Sequence, residues 1–152
     1  MFLTLRWNED AFSFGGAKRM FALASAWFSI AGCSHLSSIT YYDPTTFKNL
    51  TDLKPDVVEL YEGFGEKSLD SARIAAIRLK LSQIYEYEKG KGEKNAETYQ
   101  QIDKIRDMYK RHVANRLRNG PWTPAFLGDK VEEISRAFDI AIQTEALKNK
   151  NE

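Results

Sequence analysis

The sequence predicts an all-α fold, an up-and-down bundle of three long helices with a short N-terminal helix against it. Three observations carry this expectation. From Thr51 onward apolar residues recur at alternating spacings of three and four, which keeps them on one helical face. Runs with the two-residue period of a strand are almost absent. The connections between the long helices are short, which favours antiparallel neighbours.

Pro55 fits the first turn of the short helix, which ends near Gly63 and has Val57, Val58, Leu60, Tyr61 and Phe64 as its apolar surface. A second helix is expected after Ser68, a good N-cap, with Ile74, Ile77, Leu81 and Ile84 on one face. Gly90-Lys91-Gly92-Glu93-Lys94 reads as a solvated turn. Asn95 then caps a third helix whose seam is Ile102, Ile105, Tyr109, His112 or Val113, and Leu117. Asn119-Gly120-Pro121 stops that helix, because glycine supplies a positive φ and proline cannot continue the turn. Thr123-Pro124 is an N-cap with proline at N1 and opens a fourth helix, with Leu127, Val131, Ile134, Phe138, Ala141 and Ile142 inward. The tail from Lys148 to Glu152 is expected to fray.

The N-terminal part is of a different kind. Lys18-Arg19 precedes an uncharged apolar run from Met20 to Ile30 that is too short to span a bilayer stably. Ala31 and Gly32 are small enough for an extended chain to enter a peptidase site, and Cys33 follows. Met20 to Cys33 resembles a bacterial lipoprotein signal peptide ending in a lipobox, Ile30-Ala31-Gly32-Cys33, with Ile30 where leucine is commoner. The resemblance implies that residues 1–32 are removed, that the Cys33 thiol receives diacylglycerol, and that the new amino terminus takes an acyl chain such as palmitate. Ser34 in place of aspartate points, in a Gram-negative cell, to the periplasmic face of the outer membrane. The stretch ahead of Lys18 includes Glu9 and Asp10, which implies a long n-region or a start between Met1 and Met20.

Cysteine usage agrees with export. Cys33 is the single cysteine, so an intrachain disulfide is excluded and its thiol is free, intermolecular or modified. Residues 33–50 read as a lipidated tether: serines and Thr40 lead into Tyr41-Tyr42-Asp43-Pro44, and the aromatics Tyr41, Tyr42 and Phe47 suit packing on the domain or at the headgroup layer. Residues 51–148 form the bundle domain and 149–152 the frayed tail.

The chain has 22 basic and 21 acidic residues; Arg6, Lys18, Arg19, Glu9 and Asp10 precede Cys33, so the remainder is balanced. A balanced chain has no global field for nucleic acid or anionic lipid. Chemistry-bearing motifs are scarce. His35 lies in the tether and His112 on the third seam, where a core imidazole is expected, and no serine, cysteine or second histidine completes a nucleophilic dyad. Glu59 with Glu62 and Glu132 with Glu133 read as solvated helix faces. No metal-ligand spacing or cofactor motif is present, so the expectation is no metal, no cofactor and no catalytic residue.

The expected partner contacts are the tether aromatics Tyr41, Tyr42 and Phe47, the stripe Lys104, Arg111 and Arg118, whose members are seven apart, and Trp122 in its proline-flanked loop. Each has a plainer account: basic residues gather at helix C-termini, and a loop tryptophan plugs a bundle end. The expected function is a membrane-anchored, non-enzymatic periplasmic interaction or structural module, meeting the membrane through its lipid and an envelope protein or glycan, but no nucleic acid. The alternative is a lipid-tethered hydrolase or ligand-binding enzyme using carboxylates assembled by the fold.

Overall fold

A computed structural model describes residues 41–148; the leader, Cys33, His35 and residues 149–152 lie outside it. The described chain is all-helical: α1 (Pro44–Glu62), α2 (Ser71–Gly90), α3 (Ala96–Asn119) and α4 (Pro124–Ala146). Short 3-10 turns follow α1 at Gly63–Gly65 and precede α3 at Glu93–Asn95. Among the described residues no helix is long and apolar enough to cross a membrane. Each helix packs on two others, α1 on α2 and α4, and α3 on α2 and α4.

The first helix is not short. It begins at Pro44, eleven residues before Pro55, because Asp43-Pro44 is a cap-and-proline start of the same kind as Thr123-Pro124: the Asp43 carboxylate accepts from Thr45 N–H at 2.7 Å. Pro55 therefore sits inside a helix, where proline removes one backbone bond. Packing overrides that cost. Leu50, Leu53, Val57, Leu60 and Tyr61 bury a continuous face on both sides of the exposed Pro55. Residues 44–50 thus belong to the bundle rather than to a tether.

Two other expected ends shift. Asp70, not Ser68, caps α2, its carboxylate accepting from Arg73 N–H at 2.8 Å. In α3 the seam ends on Arg116 and leaves Leu117 exposed. The Arg116 guanidinium reaches across to the turn after α1, where its Nε donates to Phe64 O at 2.8 Å and its Nη2 to Glu66 O at 2.5 Å. Trp122 N–H also donates to Phe64 O, at 2.9 Å. Carbonyls that helix geometry leaves without partners are satisfied from α3 and the loop beyond it.

The core follows the expected faces. Ile77, Leu81 and Ile84 of α2, Ile102, Ile105 and Tyr109 of α3, and Ile134, Phe138 and Ala141 of α4 are buried against the α1 face, Phe64 and Trp122. Gly120, at φ 81°, makes the turn between α3 and α4 in a conformation that a side chain disfavours.

Candidate functional site: a buried polar ring

The apolar faces of α2 and α4 both end in a glutamate. Glu88 continues the Leu81–Ile84 face and Glu145 the Phe138–Ala141 face, and both are fully buried. A buried carboxylate persists only if paired and hydrogen-bonded. Here the partners close a ring that joins α1, α2 and α4 to the turn before α3.

Lys91 Nζ lies 2.9 Å from Glu88 Oε2 and 2.6 Å from Asp43 Oδ2. The backbone N–H of Asp43 donates to Glu145 Oε1 at 2.7 Å. Glu145 Oε2 faces Lys148 Nζ at 2.7 Å, and Lys148 donates on to Asn95 Oδ1 at 2.8 Å. Asn95 Nδ2 returns to Glu88 Oε2 at 2.7 Å and also meets the Glu88 carbonyl at 2.9 Å. The Thr46 hydroxyl donates to Glu88 Oε1 and accepts from Lys91 at 2.7 Å. Tyr87 donates to Asp43 Oδ2 at 2.7 Å from the exposed side.

Electrostatics favour the charged forms of Asp43 and Lys91. Burial pushes the Asp43 carboxyl up, but hydrogen bonds from Lys91, Tyr87 and Thr45 N–H outweigh it and hold the group far below the usual carboxylate range. Burial likewise lowers the Lys91 ammonium, and bonds to Asp43 and Glu88 more than reverse the effect. The ring ties the start of α1 to the ends of α2 and α4 and to the turn before α3, at the place where the described chain begins.

Three expectations are corrected by this ring. Asn95 sits at the N-cap position of α3 but makes no capping side-chain bond; its amide is spent between Glu88 and Lys148. Lys91 is half-buried rather than part of a solvated turn. Lys148 is buried against Glu145 rather than frayed.

A second cluster lies along the α1–α3–α4 contact. His112 Nδ1 is 3.1 Å from the Tyr61 hydroxyl, and its Nε2 is 3.5 Å from Glu133, which Lys130 holds at 2.6 Å. Trp122 packs edge-on against Tyr61, Phe64, His112 and Phe126, with its indole N–H donating to Asn115 at 3.1 Å. Burial pushes the His112 imidazole below its ordinary 6.5, with Glu133 opposing. The unfolded chain therefore takes up the proton first as pH falls. Stability contributed by neutral His112 is complete above about pH 6.5 and is lost as pH drops through the lower folded value. Urea midpoints measured between pH 8 and 5 are expected to fall on the acid side, and His112→Gln to flatten that fall; an unchanged slope in the variant contradicts the assignment.

The remaining partner candidates are distributed. Tyr41 is exposed, while Tyr42 and Phe47 are half-buried with ring centroids 6.0 Å apart. Lys104, Arg111 and Arg118 are all exposed on α3. Trp122, only 6% exposed, is a core residue and leaves little surface for a partner. Glu132 and Glu133 line an open groove of about 370 Å³ between α3 and α4 with Met108, Arg136 and Ile140. Glu132 is paired with Arg136, and the Lys130 hydrogen bond holds Glu133 below the usual carboxylate range, the opposite of what a general acid needs.

No family model, no curated protein and no solved structure matches this chain.

Proposed function

We propose that this chain is a lipid-anchored bacterial envelope protein whose folded part is a non-enzymatic interaction or structural module. The observation that carries the reading is the run from Lys18-Arg19 through the apolar segment to Ile30-Ala31-Gly32-Cys33. On this reading Cys33 carries diacylglycerol, and in a Gram-negative cell the bundle stands at the periplasmic face of the outer membrane. At roughly 0.8 kcal/mol for each buried methylene, a diacyl group plus an amide-linked chain is an effectively permanent anchor.

The bundle is read as up-and-down. Asp43 meets Glu145, Thr46 meets Glu88 and Gln101 meets Thr144, so that helix starts meet the ends of their neighbours. The polar ring then serves as a clasp that fixes the entry of the chain to the bundle. Glu88 and Glu145 are the feature that favours a carboxylate enzyme instead, and their pairing with Lys91 and Lys148 accounts for them without catalysis.

Detergent phase partition in the native host tests the anchor. The parent protein is expected in the detergent phase and Cys33→Ala in the aqueous phase or retained as an uncleaved precursor; a parent that stays in the aqueous phase contradicts the anchor.

A further inference from the structure

The balance of acidic and basic residues conceals a division by helix. α1 carries two basic and four acidic residues and α4 two and five, whereas α2 carries four and two and α3 six and three. The packed pair α1–α4 is net −5 and the packed pair α2–α3 net +5.

Ion pairing sharpens the split. On α1 and α4, Asp52, Asp56, Glu59, Glu132, Glu133 and Asp139 are each engaged by a lysine or arginine. By contrast Arg78 on α2 and Lys104, Lys110, Arg111 and Arg118 on α3 are exposed and make no ion pair among the described residues. Leu79 and Leu117, 59% and 64% exposed, stand on the same two helices. Asp107 is the exposed acid between Lys104 and Arg111.

We propose that the α2–α3 face docks on an anionic phospholipid surface. Unpaired cations on helices that also expose leucines match headgroup phosphates and the upper acyl boundary, and they ask for no shaped partner. The acidic face does not cancel the attraction. It lies across the bundle, at about 10 Å or more per helix diameter, beyond a Debye length of about 8 Å at physiological salt. A second copy of the chain is a poorer occupant, because its acidic face has most of its carboxylates already paired. The presence of a membrane rests on the lipid-anchor reading, but docking itself needs no anchor.

The full-length Cys33→Ala chain, mixed with vesicles of phosphatidylcholine alone or containing phosphatidylglycerol, separates the two ideas, since detergent partition of the parent reports the anchor and this assay the face. Binding is expected to be stronger to the anionic vesicles, with the excess over neutral vesicles weakening with salt. Adding Lys110→Gln, Arg111→Gln and Arg118→Gln is expected to weaken it about a hundredfold, at about 1 kcal/mol per cation. The control Lys48→Gln, Lys54→Gln and Arg136→Gln removes the same charge from α1 and α4 and is expected to bind like its parent. Equal binding to neutral vesicles, or undiminished binding by the first triple variant, overturns the proposal. Low-salt self-association or polyglutamate binding without vesicle binding also overturns it, and reassigns the face to a second copy or an acidic polypeptide.

Discussion

Glu145→Leu is expected to destabilise the bundle by about 3–5 kcal/mol, the usual cost of removing one partner from a buried ion pair. The variant strands two groups. Lys148, whose side chain is 3% exposed, loses its carboxylate, and the Asp43 N–H loses its acceptor at the start of α1. Against a total stability of about 5–15 kcal/mol, that loss leaves a marginal fold. The added change Lys148→Met is expected to recover part of it, because deleting both members of a buried pair costs far less than deleting one. Urea unfolding of the two variants measures this. A loss below about 1 kcal/mol for Glu145→Leu would mean that Lys148 turns to solvent freely and that the ring is not a clasp.

Phe138→Ala is the other large effect, expected at about 3–5 kcal/mol. Phe138 is fully buried in the one core to which all four helices contribute, and truncation removes its transfer energy and leaves a cavity that rigid neighbours fill only in part. Ile140→Ala, two residues along and half exposed, is expected to change stability by about 0.5 kcal/mol or less. Equal effects at the two positions would contradict the assigned inward face of α4.

The apolar periodicity made the core legible: Ile77, Leu81, Ile105, Ile134 and Phe138 are all buried as their spacing requires. Helix starts were legible wherever a cap and a proline stood alone, as at Thr123-Pro124. At α1 two prolines competed, and Pro55 masked the better start at Asp43-Pro44. Helix propensity penalises an internal proline, but the buried residues flanking Pro55 outweigh it.

The polar ring was not legible, because its members come from four places in the chain, and burial of a charge depends on partners that no local period reveals. Lys91, Asn95 and Lys148 each have an ordinary local meaning as turn, cap and tail. One signal was available. Glu88 stands four residues after Ile84 and Glu145 four after Ala141, so each carboxylate occupies an apolar-face position, which is unusual for a solvated acid. The charge division between helix pairs was hidden in the same way, since it emerges only when the residues are counted helix by helix and the pairs are known to pack.

The central claim is that this bundle is held to a membrane through Cys33, and the intact mass of the protein purified from its native host tests it most directly. The account predicts a chain that begins at Cys33, lacks residues 1–32, and carries the added mass of a diacylglyceryl group with an amide-linked acyl chain, all of it lost in Cys33→Ala. A parent protein that retains residues 1–32 with an unmodified Cys33 thiol would contradict the claim.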